Sequence, residues 1–292
     1  MSDFKNAIEI NGVTKKYDGF VLDNISFNVP KGSIMGFIGQ NGAGKTTTIR
    51  LLLNLIKRDS GTINMLGLDN LTHEREIKEQ ISAVFDEIPF HDVLTANNLS
   101  VILSDIFAQW DKNTFFDYLD RFSIPRKKKI GEFSKGMKMK LQIAAALSHN
   151  AKLLIMDEAT TGLDPVVRNE ILDIFLEYLQ DENNSILLSS HITTDIEKIA
   201  DTVTFIDKGK ILISGGKDEI IESHGLIKCK KSDYKEIDPA DIISARINDF
   251  GADVMISDKE KLSAKYSGLT IDNTTLEEIM LFYVRREKKE IF

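Results

Sequence analysis

Gly39-Gln40-Asn41-Gly42-Ala43-Gly44-Lys45-Thr46-Thr47 decides how the rest of the chain is read. It follows G-x-x-x-x-G-K-[ST], the P-loop pattern. The flanks agree. Ser33-Ile34-Met35-Gly36-Phe37-Ile38 before it reads as a buried strand, and Thr46 to Ile56 after it reads as a helix. Glycines let the backbone wrap a phosphate with several N–H groups pointing inward. The following helix adds free N–H groups and the positive end of its dipole. Lys45 brings a mobile point charge to the β- and γ-phosphates of a nucleotide, and the Thr46 hydroxyl is placed to ligand Mg²⁺.

Composition narrows the classes. The chain has 292 residues, 42% hydrophobic and 28% charged, enough for one large domain with or without a small one. Its net charge is −8. An acidic chain is a poor general binder of nucleic acid or anionic membrane, so no nucleic-acid partner is expected. The single Cys229 permits no internal disulfide, which suits a reducing cytoplasm. The start, Met1 to Asn6, is polar, and no apolar run approaches the ~18–20 residues that span a bilayer. If the protein serves a membrane, another chain must supply the spanning part.

Outward from the P-loop, elements alternate. Ala7 to Val13 and Val21 to Val29 read as strands, with Tyr17 at the end of the first. Ser60 to Gly67 reads as a turn and a strand, Thr72 to Gln80 as a short charged helix and Ile81 to Phe85 as a strand. Leu94 to Phe107, Asn113 to Phe122 and Ser134 to Leu147 are helical, with a basic, solvated loop at Arg126-Lys127-Lys128-Lys129. Lys152 to Met156 is a strand. Pro165 to Gln180 is a helix capped by Asp164, with proline at its first position. Ser185 to Ser189 is a strand, Thr194 to Ile199 a helix capped near Thr193, and Val203 to Ser214 a hairpin. This alternation means an α/β fold with a largely parallel sheet. Beyond Gly216 the chain mixes short strands, such as Leu226 to Cys229, with helices near Lys217 to Ser223, Ala240 to Asn248 and Thr275 to Arg286. No chemical motif stands there, and residues 217–292 read as a small α+β accessory domain.

Leu153-Leu154-Ile155-Met156-Asp157-Glu158 is an apolar strand that ends in two acids. In a parallel sheet those acids reach the same edge as the P-loop. Asp157 can then hold Mg²⁺ and Glu158 can polarise an attacking water.

Upstream lies Phe133-Ser134-Lys135-Gly136-Met137-Lys138-Met139-Lys140, which resembles the signature of ATP-binding cassette (ABC) ATPases in its bacterial exporter variant. The order of P-loop, helical insert, signature, Asp-Glu strand, Thr161-Gly162-Leu163-Asp164 and Ser190-His191 is that family's order, over about residues 7–216. The resemblance implies a P-loop NTPase fold of the ABC type, with an antiparallel β subdomain and a helical subdomain at about 86–147. It implies ATP and Mg²⁺ as cofactors. Gly39, Asn41, Gly42, Ala43, Gly44, Lys45, Thr46 and Thr47 would cradle phosphate. Tyr17 would stack on adenine. Ser134 and Gly136 would cap the γ-phosphate of ATP held by a facing subunit, with Asp164 across the same interface. Glu158 would be the catalytic carboxylate and His191 a γ-phosphate ligand. Thr46, Asp157 and Asp86 would be the metal ligands.

Three positions depart from that pattern, two in the signature and one after the Ile81 to Phe85 strand. Lys135 and Met137 stand where the signature has a glycine and a glutamine, and Asp86 stands where a glutamine often follows the Ile81 to Phe85 strand. The resemblance further implies a cytoplasmic ATPase subunit, peripheral on the membrane, bound to a polytopic membrane subunit on a separate chain. It would pair with an identical copy or a second ATPase subunit, and Phe85 to Leu99 would form the coupling surface. Export is expected, from the signature variant and the tail Thr275 to Tyr283. The alternatives are a soluble ABC ATPase acting on ribosomes or nucleic acid, and a regulatory cassette with little turnover.

Overall fold

The first hairpin is built by alternation. On β1 (Asn6–Tyr17) Ile8, Ile10 and Val13 are buried, and on β2 (Phe20–Pro30) Leu22, Ile25, Phe27 and Val29 are buried. The parity slips by one near Gly12 and Asn24, both at positive φ, and each bulge returns the next apolar residue to the core. β3 (Ile34–Ile38) is buried along its whole length and feeds α1 (Lys45–Leu52). α1 stops four residues before the expected Ile56. Asn54 turns left-handed at φ 54° and the Leu55 N–H donates to the Arg50 carbonyl at 2.9 Å, a C-terminal cap that closes the helix.

The chain then adds β4 (Ser60–Met65) and β5 (Leu68–Asp69), completing an antiparallel sheet in the order β2-β1-β4-β5. The charged stretch after it holds only a short α2 (Glu74–Lys78), because Asp69 Oδ1 accepts the Leu71 and Thr72 N–H groups and makes a turn there first. β6 (Ile81–Phe85) follows. Three capped helices come next. They are α3 (Ala96–Ile106) with a Thr95/Asn98 capping box, α4 (Lys112–Arg121) capped by Asp111, and α5 (Lys135–Ala146) capped by Ser134. Phe115, Leu119, Phe122 and Ile130 are buried in this helical stretch.

β7 (Leu153–Asp157) leads to α6 (Pro165–Tyr178), where Asp164 Oδ1 accepts the Val166 and Val167 N–H groups. β8 (Ser185–Ser190) leads to α7 (Thr193–Ile199). The cap expected near Thr193 is corrected here. Ile192 holds the cap position without a side-chain bond, and Ser190 Oγ turns the chain by accepting the Ile192 N–H. β9 (Thr202–Asp207) and β10 (Lys210–Gly216) complete a six-stranded sheet ordered β10-β9-β3-β8-β7-β6. β9, β3, β8, β7 and β6 run parallel. β7 and β8 are buried on both faces, as a covered parallel sheet requires. The parallel order puts the carboxyl ends of β3, β6, β7 and β8 on one edge.

The chain divides into two compact units, Met1–Ile211 and Leu212–Phe292, so the division falls within β10. The second unit contains α8 (Lys217–Ser223), β11 (Gly225–Cys229), α9 (Lys231–Tyr234), β12 (Ile242–Ile247), β13 (Ala252–Ile256), α10 (Lys259–Lys265), β14 (Ile271–Asp272) and α11 (Leu276–Lys288). Its sheet is antiparallel in the order β12-β13-β11-β14, around Ile227, Val254, Ile256 and Leu262. The helix expected at Ala240 to Asn248 is a strand instead. Ile242, Ile243 and Ile247 have a helix-like spacing because a register shift between Ile242 and Ser244 breaks the two-residue alternation. Pairing with β13 decides the outcome. This computed structural model describes residues 4–288, with side chains from 4 to 285. The polar start Met1-Ser2-Asp3 and the last four residues of the expected accessory domain lie outside them.

Candidate active site

The shared edge of the parallel sheet assembles the site. β3 ends at Ile38 and the loop from Gly39 turns back at Gly44, whose φ of 118° suits glycine alone. A Cβ there would also press on Phe20 and Leu22, so the β1–β2 hairpin end lies against the loop. Tyr17, at that hairpin end, is 45% exposed, with Lys15 Nζ 5.5 Å from the ring centre. Gly44 caps α1 without a side-chain acceptor, which leaves the first N–H groups of the helix open to a ligand. Asn41 and Gly42 are exposed, Ala43 is buried and Thr47 half-buried.

Lys45 is buried and its ammonium is crowded by acceptors. It donates to the Gly39 carbonyl at 2.6 Å and the Gln40 carbonyl at 3.3 Å, and lies 3.0 Å from Glu158 Oε1. Asp157, the last residue of β7, is held on both oxygens. The Thr46 hydroxyl donates to Oδ2 at 2.9 Å and the Ser189 hydroxyl to Oδ1 at 2.6 Å. Glu158 follows in a left-handed turn at φ 55°, its N–H donating to the Ser189 carbonyl. That turn aims its carboxylate back over the loop. Oε2 accepts from the Thr161 hydroxyl at 2.6 Å and lies 2.8 Å from His191 Nδ1. Oε1 faces the Lys45 ammonium. Burial pushes the Glu158 carboxyl up, and the Thr161 hydroxyl, Lys45 and His191 together outweigh it, so the group titrates below the ordinary glutamate range. It is a carboxylate at neutral pH.

Lys45, Thr46, Asp157, Glu158 and His191 are therefore joined in one network. Ser134, Gly136 and Asp164 are placed otherwise. Ser134 Oγ accepts the Met137 N–H and Asp164 caps α6, while the Cα of Gly136 faces Val167 on α6. All three sit where α5 and α6 begin. Asp86 is ion-paired to Lys135 at 2.6 Å.

Three residues to which sequence reasoning gave no role matter here. Thr161 holds Glu158 and Ser189 bridges Asp157 to the Glu158 N–H. Gln142, buried on α5, donates to the Phe85 carbonyl at 3.1 Å and accepts the Phe85 N–H at 3.3 Å. Its signal is a polar residue inside the apolar run Leu141-Gln142-Ile143-Ala144.

The site's geometry has counterparts. The family model described as ABC transporter matches residues 22–161. The bacitracin transport ATP-binding protein BcrA of Bacillus licheniformis is 39% identical over 208 residues, covering 70% of this chain and 68% of its own. The chain belongs to the ABC transporter ATP-binding family. The lantibiotic transport ATP-binding protein SrtF of Streptococcus pyogenes is 34% identical over 210 residues, 70% of this chain and 89% of its own. A solved structure described as the ATP-binding subunit of an ABC transporter superposes with a TM-score of 0.67 at 25% identity, over 74% of this chain and 92% of that one. The fold is thus that of an ABC ATPase domain, and the chain is an ATP-binding subunit with ATPase activity. Among the described residues, no helix is long and apolar enough to cross a membrane.

Proposed function

We propose that this chain hydrolyses ATP to drive a membrane exporter, docked from the cytoplasm onto a polytopic partner chain and paired head to tail with a second ATPase subunit. The observation that carries the chemistry is the Glu158 carboxylate, 3.0 Å from the P-loop ammonium and fixed by Thr161 and His191. ATP phosphates would sit in the cradle of residues 39–47 with adenine against Tyr17. Lys45 would exchange Glu158 and the loop carbonyls for the β- and γ-phosphates. That exchange leaves Glu158 an ionised acceptor for a proton from the attacking water. His191 would turn its ring to the γ-phosphate.

Mg²⁺ suits the donors present. Thr46 and Asp157 offer two hard oxygens 2.9 Å apart. Mg²⁺ commonly takes one or two protein oxygens and completes its shell with phosphate and water. No group of three or more His, Cys, Asp or Glu side chains that could cage a metal forms among the described residues. When bound, the ion neutralises phosphate charge. Ser134 and Gly136, open at the start of α5, would meet the γ-phosphate of the facing subunit, with Asp164 beside that contact. Residues 217–292 are read as an accessory domain.

The transport direction rests on the signature variant and on the resemblance to drug, peptide and bacteriocin export subunits. Relatives named for bacitracin and lantibiotic transport support it. Purification of the tagged chain from its native cell in mild detergent tests the role. A stoichiometric polytopic membrane protein is expected. Ribosomal or DNA-associated partners, with none from the membrane, would assign a soluble ABC role instead.

A further inference from the structure

Lys135 opens α5, the end of a helix where its dipole disfavours a cation. The structure gives that cation a partner. Its Nζ lies 2.6 Å from Asp86 Oδ1, and its stem crosses Gly162. Gly162 holds φ +72°, which favours glycine, and a Cβ there would come within 3.1 Å of that Nζ, so Lys135 runs close over this turn.

The same face of α5 grips β6 further down. Gln142, two turns on from Lys135, bonds both backbone groups of Phe85, and the Ser82 hydroxyl donates to the Ala146 carbonyl at 2.8 Å. α5 is a splint along β6, and Asp86 is the first residue past its backbone clamp. Phe85 pairs in register with Asp157, whose carboxylate accepts the Thr46 hydroxyl. Neighbouring strands lie about 4.8 Å apart. Asp86 therefore begins one strand away from the Thr46–Asp157 pair, and its carboxylate is committed to Lys135.

We propose that Lys135 is a positioning residue that withholds Asp86 from the metal. The inference rests on the reading of Thr46 and Asp157 as metal ligands. One carboxylate set between two cations is divided between them. Whatever draws Lys135 away, including a phosphate that meets the first turn of α5, hands Asp86 to the metal. Lys135 and Asp86, two of the three positions that depart from the family pattern, then act as one unit, which links the metal to the face where Ser134 and Gly136 stand.

The test is Mn²⁺ affinity, read by electron paramagnetic resonance on the full chain with a non-hydrolysable ATP analogue. Lys135→Met should tighten Mn²⁺ by about threefold, the size of one half-exposed ion pair. Asp86→Asn alone should change it by less than about twofold, and Lys135→Met in the Asp86→Asn background should have almost no effect, since coupled residues are not additive. An equal gain from Lys135→Met in both backgrounds would overturn the proposal, because Lys135 would then act on the metal by its own charge. No gain in either background would overturn it as well. If the wild-type chain binds the analogue but no Mn²⁺, the metal reading itself fails, and this inference fails with it.

Discussion

Glu158 keeps its charge in a half-buried place because three neighbours favour the ionised form. The Thr161 hydroxyl is the closest of them, at 2.6 Å. Since the folded carboxyl titrates below its unfolded value of about 4.3, its contribution to stability is present above that pH and is lost as pH falls through the folded value. Thr161→Val keeps the shape and removes the donor. It should cost about 1.5–3 kcal/mol at pH 7, the usual range for a hydrogen bond to a charged group. Urea unfolding from pH 7 to pH 3 should show that difference shrinking below about pH 4. A constant difference across the range would mean that Thr161 acts by packing. The bond from Thr161 to Glu158 was beyond the reach of sequence reading for a plain reason. A hydroxyl three residues past an acid is common in any turn, and only the left-handed backbone at Glu158 brings the two together. Lys45 and Asp157 were legible because each sits in a motif whose spacing points to its chemistry, whereas His191 was singled out by the family resemblance.

At the scale of elements, the strands that carry the site were readable and their supports were not. The apolar runs of β3, β7 and β8 announce buried parallel strands, and their carboxyl ends place Gly39, Asp157 and His191 together. The α5–β6 clamp depends on partners 57 residues apart, Gln142 and Phe85, which no local pattern joins. Gln142→Leu should leave both backbone groups of Phe85 without their partner. The expected loss is about 1–3 kcal/mol, seen as a lower urea midpoint. An unchanged midpoint would show that other groups satisfy Phe85. β12 failed for the same class of reason. Its bulge erases the alternation, and its identity as a strand comes from β13. The second unit carries no chemical motif, so nothing there could correct the periodicity.

For the whole molecule, the proposed head-to-tail pairing draws on two separate groups of residues. The Lys45–Glu158 network stands at the sheet edge, while Ser134, whose hydroxyl accepts the Met137 N–H, and Gly136 stand at the start of α5. A closed site would need the half-sites of two subunits, so ATP should join them and hydrolysis should let them part. Light scattering should then show Glu158→Gln as a dimer with MgATP and a monomer without it. A monomer in both conditions would contradict the head-to-tail pairing. The claim beneath all of this is that Glu158 takes the proton from water at a P-loop ATP. Steady-state phosphate release by Glu158→Gln, with MgATP binding measured on the same sample, tests it most directly. The account predicts retained binding and a turnover at least ~100-fold slower, a loss of at least ~2.7 kcal/mol of transition-state stabilisation. Near-normal turnover in that variant would remove Glu158 from its role.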